Sequence, residues 1–265
     1  MVKKERWEDI EFSHNIRITE FSSWKFFSDF VSEELLDYTT YVYRGHAISS
    51  WKIAPTLDRI ITTPTSSKRD AHLTKFKLET RGRRGPSPAI LNDENDWWAL
   101  GQHHGLATPL LDWTESPFVA LFFAMSNAIE LQSKEITVYA LAQTAIKARN
   151  NVITKDNDIK LINKQKPTVE IVRPLSDENS RLVSQRGLFT RGPNNIDLES
   201  WIRKHKISGQ EENEDLIKIN IPITEQDVND ALRYLNRMNI NNSTLFPDLS
   251  GASEYCNLHL KTPKY

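Results

Sequence analysis

The chain has a single cysteine, Cys256, so no intrachain disulfide can form and no disulfide framework points to secretion. No apolar run approaches the roughly 20 residues that span a bilayer. The best candidate, Pro117 to Met125, is far too short. The N-terminus, Met1-Val2-Lys3-Lys4-Glu5-Arg6-Trp7-Glu8, is charged from the start and offers no apolar stretch for a signal peptide. An excess of one charge sign is also missing. The formal net charge is -1, which gives no global nucleic-acid signal and leaves only local patches to consider. The chain has no P-loop, no Gly-x-Gly-x-x-Gly, no His-Glu-x-x-His and no Gly-x-Ser-x-Gly, so none of those phosphate-binding, zinc-protease or hydrolase signatures applies. These absences make cytoplasmic residence the expectation, with no membrane partner.

What is present suits a folded protein. Hydrophobic residues make up 38% of 265, with seven Trp and eleven Phe, enough to build a core and to argue against wholesale disorder. The length fits one large domain or two small ones, and no repeat or linker divides it.

Helical spacing of Trp24, Phe27, Phe30, Val31 and Leu35 predicts a helix over 22–36, with Ser22 or Ser23 as its cap. A β-rich run over 39–44 reads as a strand ending at Gly45. Helices are expected over 69–81 and 94–103, separated by a mobile basic loop at 82–88. A strand over 108–112 leads to Ser116-Pro117, an N-cap followed by Pro at the first helical position, and then to a helix apolar nearly all round. Further strands are expected at 135–141, 169–172, 181–189 and 216–221. The last has Ile217, Ile219 and Ile221 alternating with Lys218 and Asn220. A helix capped by Thr224 should run to about Met238, and another over 251–259. Residues 145–165 are polar and give no clear reading; residues 194–210 suggest a loop with a short helix. Strands dispersed among helices without a βαβ rhythm favour an α+β fold, of mixed, mostly antiparallel strands with packed helices.

Three constellations could carry chemistry. In Tyr43-Arg44-Gly45-His46, a guanidinium at a strand end sits beside backbone that can turn sharply, and its geometry suits two oxygens of a phosphate or carboxylate. The plainer alternative is an arginine paired to a buried carboxylate. The second is the sixteen-residue run from Gln102 to Pro117, which contains His103, His104, Asp112, Trp113, Thr114 and Ser116. It admits acid–base work by one His, or nucleotide recognition with Trp113 as a stacking ring and the helix start holding polar groups. Metal binding by His103, His104 and Asp112 is disfavoured, because adjacent His residues diverge on regular structure; no metal is expected. The plainer alternative is a capped helix entrance. In the third, Arg181 to Thr190, a strand would place Val183, Gln185 and Gly187 on one face.

These residues resemble the FRG domain family, named for an aromatic-Arg-Gly motif that stands here as Tyr43-Arg44-Gly45, with Tyr in place of Phe. The likeness continues in Trp51…Pro55-Thr56-Leu57-Asp58-Arg59 and Gln102-His103-His104-Gly105, then in Thr108 to Thr114 and Ala120 to Ala124. It closes with Arg181…Gln185-Arg186-Gly187 and Leu245-Phe246-Pro247-Asp248-Leu249. It implies an FRG-like domain over 41–265, with 1–40 as an N-terminal helical segment packed on it.

More distantly, the order of motifs is similar to ADP-ribosyltransferases of the Arg-Ser-Glu type. That resemblance implies a split sheet and NAD as substrate. Arg44 would hold its pyrophosphate or ribose, with Tyr43, Gly45 and Trp113 around it. Thr114 and Ser116 would support the nicotinamide pocket, and His104 and Asp112 would orient the site. The target would be a protein or a nucleic acid, in a bacterial toxin or phage-defence effector by analogy alone. The chain departs at the third catalytic position, where Gln185 stands in place of Glu and carries no negative charge. Either another acid serves (Glu178, Glu199 or Asp112), or the mechanism differs, or the site only binds. The competing reading is a non-catalytic module for nucleic acid or a nucleotide signal, with Arg81, Arg83, Arg84, Trp97 and Trp98 supplying charge and stacking. A metal-dependent nuclease ranks last, for want of clustered acids.

Overall fold

A computed structural model describes residues 5–174 and 180–265. Its centre is one eight-stranded sheet in the order β1-β2-β8-β5-β3-β4-β7-β6. The expected α+β architecture is present: the one parallel pairing among the described strands is β2 with β8, and every other is antiparallel.

The chain opens with a hairpin that sequence patterning missed, β1 (Trp7–Ser13) and β2 (Ile16–Phe21). His14 and Asn15 both take left-handed backbone, φ 55° and 63°, which suits a two-residue hairpin turn. The helix expected next is present but irregular. A 3₁₀ turn at Trp24–Phe26, capped by Ser23, runs into α1 (Phe27–Phe30) and then a π turn at Val31–Leu35. Strand β3 (Tyr41–His46) does not stop at Gly45 but passes through it. Three helices follow, α2 (Thr56–Ile60), α3 (Lys68–Glu79) and α4 (Glu94–His103), the last capped by Asp93.

Strand β4 (Leu110–Thr114) then delivers the chain to α5 (Pro117–Leu131), whose first turn is capped by Ser116 Oγ accepting from the Val119 N–H. Next come β5 (Glu135–Ala142), α6 (Gln143–Lys155) and β6 (Glu170–Val172). The strand expected over 181–189 is a correction. Its first half is a single helical turn, α7 (Ser180–Ser184), and pairing starts only at β7 (Gly187–Arg191). Arg186, with φ 48°, makes the reversal between them. A Cβ on Gly187 would lie 2.8 Å from Leu182 Cδ2, so the turn folds tightly onto the strand that follows. Val183, Gln185 and Gly187 therefore do not share a strand face. The remaining elements are α8 (Leu198–Lys204), β8 (Leu216–Pro222), α9 (Glu225–Arg237), α10 (Asn242–Leu245) and α11 (Leu249–Lys261). Helix α9 carries the expected cap, with Thr224 and Asp227 forming a reciprocal capping box.

Alternation along the central strands builds a core on each face. Tyr41 and Tyr43 point with Val138 and Ala140 toward α5 and α9, while Val42 points with Tyr139 and Leu141 toward Trp201 of α8 and Ile146 of α6. Gly45 falls on the α5 face. A Cβ there would stand 2.0 Å from the Ala120 carbonyl oxygen and 2.9 Å from Ala124 N, so α5 lies directly on strand backbone. A third cluster joins Leu57, Leu73 and Trp98 to Leu110 and Phe189 at the β4–β7 end of the sheet.

Candidate functional site

The sheet is well zipped except at its centre. Strand β3 pairs with β5 at six consecutive positions, but its register with β4 holds only at Tyr43 and Thr114. Beyond that pair the two strands part, and the Arg44 guanidinium fills the opening. Its Nη1 donates to the Asp112 main-chain oxygen at 2.7 Å and lies 3.6 Å from the Asp112 carboxylate. Its Nε donates to His46 Nε2 at 3.0 Å. A side chain thus replaces the ladder bond that β3 backbone would otherwise make.

These bonds fix the charges. His46 accepts at Nε2, so a neutral ring carries its proton on Nδ1. Burial, with the Arg44 charge behind it, pushes the imidazole down to about 3, so it is neutral throughout the physiological range. Burial also draws the Arg44 pKa down, and the Asp112 charge opposes that pull; the guanidinium stays protonated. One fifth of its side chain remains open, toward a cavity.

That cavity has a volume of about 330 Å³, at the small end of the roughly 300–1,000 Å³ typical of ligand pockets. Its floor is β3, β4 and α5, through Tyr43, Gly45, Thr114, Ala120 and Phe123. One wall is Gln102 and His103, from the end of α4. The other is Arg181, Leu182 and Gln185 with Phe246. Two interactions pin these walls to the sheet. Gln102 Nε2 donates to Asp112 Oδ1 at 2.7 Å while its own oxygen accepts from the Thr108 hydroxyl. Thr114 Oγ1 donates to the Gln185 carbonyl at 2.6 Å and accepts from the Ser116 N–H at 3.0 Å, linking β4, the turn after α7 and the start of α5. The result is a concave site with polar and apolar lining, two guanidinium groups and, among the described residues, one carboxylate.

Arg44, Asp112, Gln185, Tyr43, Gly45 and Thr114 come together here. His104 does not: it is exposed, and its ring meets His103 edge-on at 4.7 Å, leaving His103 as the imidazole that lines the cavity. Ser116 caps α5 and touches the site only through Thr114. Trp113 borders the cavity, but its indole is buried and donates to Thr190 Oγ1 at 2.9 Å, so its ring is core and not a free stacking surface. Gln185 spends its amide on the Leu245 carbonyl at 3.0 Å. Of the alternative acids, Glu199 is paired with Arg203 on α8, away from the cavity. Glu178 lies outside the described residues. The residues not foreseen were Gln102, Phe123, Asn127, Arg181 and Phe246. Gln102, Phe123, Arg181 and Phe246 sat inside motif blocks already singled out, and that was their one signal; Asn127 sat in none.

The basic segment near the Trp pair stays at the surface, with Arg81 and Arg83 exposed and Arg84 half-buried. Trp98 is buried and donates to Glu94 at 3.1 Å, and the Trp97 ring is covered by Lys77 and Arg84, 5.5 and 5.1 Å from its centroid. Among the described residues, no group of three or more His, Cys, Asp or Glu is placed to hold a metal ion, and no helix is long and apolar enough to cross a membrane.

The structure is thus an α+β sheet that parts around an arginine over a concave pocket. Residues 39–133 match the FRG domain. The match spans β3 to the end of α5 and takes in Arg44, Gln102, Asp112, Thr114 and Phe123, whereas the wall with Arg181, Gln185 and Phe246 lies beyond it. No curated protein and no solved structure is significantly similar to the chain.

Proposed function

We propose that the cavity beside Arg44 is a nucleotide site and that it cleaves NAD as an ADP-ribosyltransferase or NAD glycohydrolase. The observation that carries this reading is the parting of β3 from β4 around a guanidinium that faces a cavity and stands beside a carboxylate. Arg44 Nη2 has no hydrogen-bond partner among the described residues and is available to a phosphate oxygen. Phe123 and Phe246, both half-buried, offer rings to the base or the nicotinamide.

Cleavage breaks the bond from ribose C1′ to the nicotinamide nitrogen. Nicotinamide leaves with the electron pair, and positive charge develops on the ribose. Asp112 is the carboxylate suited to stabilise that charge: Gln102 orients it, and its side chain is 64% exposed, open to a ligand. Water, or a nucleophile of a protein or nucleic-acid target, then takes C1′ and gives up a proton. A role as a toxin or in phage defence would follow from the resemblance alone.

A second reading, binding without turnover, is favoured by Gln185. It is neutral, and its amide is tied to Leu245. Nicotinamide release separates the two. Incubated with NAD, the full chain should release nicotinamide, and Asp112→Asn should slow release at least tenfold while leaving NAD affinity within a few fold. Tight binding with no release supports the second reading; neither binding nor release removes both.

A further inference from the structure

A second arginine lines the cavity, and the proposed chemistry does not use it. Arg181 stands on α7 with its guanidinium 5.2 Å from the centroid of Phe246. Its Nε and Nη2 converge on one oxygen, Asp248 Oδ2, at 2.8 and 2.5 Å. Asp248 is itself fixed as the N-cap of α11, its Oδ1 accepting from the Gly251 N–H at 2.9 Å. Both contacts, the Gly251 N–H first and the Arg181 charge after it, hold this carboxylate below the usual range, so it is ionised near neutral pH. At Gly251 the start of α11 packs directly on the chain at Phe246: a Cβ there would stand 2.0 Å from the Phe246 carbonyl oxygen.

Arg181 is therefore held along one edge and by one ring face. Nη1 carries none of its hydrogen bonds to the described residues, and a guanidinium has five N–H groups to place. Arg44 presents the same arrangement, with Nε and Nη1 committed and Nη2 spare. Two pre-oriented cations share one cavity with one carboxylate in the described lining. A single phosphate can take one fork; linked phosphates can take both.

We infer that Arg181 is a second phosphate-binding residue of this cavity, so that the site selects nucleotides with two or more linked phosphoryl groups over monophosphates. The inference rests on the nucleotide reading of the cavity. It adds which nucleotides enter and assigns the selection to a wall outside the segment that matches the FRG domain.

Calorimetric titration of the full chain with ADP, AMP and adenosine tests it. The wild type should bind ADP at least tenfold more tightly than AMP. Arg181→Ala should reduce ADP affinity to that of AMP and leave adenosine unchanged. Arg181→Lys, which keeps the charge against Asp248 and guards against a folding defect, should retain an intermediate preference. Equal affinity of the wild type for ADP and AMP, or a preference that survives in folded Arg181→Ala, overturns the inference while leaving the nucleotide reading intact. A wild type that binds none of the three overturns that reading and the inference with it.

Discussion

Arg44 Nη1 donates to the main-chain carbonyl of Asp112 at 2.7 Å, across the opening where β3 and β4 cease to pair. The same guanidinium closes the sheet and faces the cavity. Arg44→Ala would leave the Asp112 carbonyl and His46 Nε2 without their donor. His46 Nε2 is buried, and an unsatisfied buried polar group costs about 1–3 kcal/mol, whereas the exposed Asp112 carbonyl can turn to water, so a loss of about 1–3 kcal/mol is expected in urea unfolding, with Arg44→Lys losing less. Binding by Arg44 variants is to be compared only at temperatures where both proteins are folded.

Gly45→Ala should be more damaging than its size suggests. The new methyl would meet the backbone of Ala120 and Ala124, which cannot rotate away as a side chain can. Overpacking typically costs about 1–3 kcal/mol where neighbours can adjust; here the upper end or beyond is expected, read as a shift of the urea midpoint at unchanged slope. A neutral Gly45→Ala would mean that α5 does not lie on the strand as described.

His46 gives the fold a pH dependence with a definite sign. Its folded pKa, about 3, lies below the ordinary histidine value, so the unfolded chain binds the proton more readily. The stability contributed by neutral His46 is complete above the unfolded pKa near ~6.5 and is lost as pH falls toward 3. Between those values the slope approaches about 1.4 kcal/mol per pH unit. His46→Gln, whose amide oxygen can still accept from Arg44, should flatten the part of the slope between pH 6.5 and 5, above most carboxylate titration. An unchanged slope would contradict the buried neutral ring.

Thr114 ties three elements together through one hydroxyl. Thr114→Val keeps the shape and removes both bonds. The expected cost is about 1–3 kcal/mol, together with faster amide exchange in α7 and a weaker ligand affinity, because the wall bearing Arg181 and Gln185 loses its tether to the sheet. A variant with unchanged exchange at 180–187 would show that the tether does not hold the wall.

Much of the fold could be read from local pattern. Ser116-Pro117 announced α5, Thr224 announced α9, and the Ile217-Ile219-Ile221 alternation announced β8. What failed was local signal without local cause. Five of the seven β1 residues are exposed, and its Ile10 and Phe12 are half exposed, so no buried apolar face marks it. Hairpin β1–β2 is held by partners far along the chain: Ile16 registers with Leu216, and Asn15 Oδ1 accepts from Arg149. Residues 180–184 read as β-rich because of Leu182 and Val183, yet Val183 is 81% exposed and the segment makes one helical turn. In the site, Arg44 and Asp112 were legible because each sits in a compact motif. The partition of His103 from His104, the burial of Trp113 and the presence of Arg181 and Phe246 were not, since each depends on which neighbour the tertiary fold supplies. Gln185 does line the cavity, but from a turn and not from the strand expected over 181–189.

The central claim, that a nucleotide occupies the cavity where β3 and β4 part, is tested most directly by amide hydrogen exchange of the full chain with and without NAD. The claim predicts slower exchange at 41–46, 110–114, 180–189 and 244–248 when NAD is present, with the hairpin at 7–21 unaffected. No protection at saturating NAD, or protection confined to segments that do not line the cavity, would contradict it.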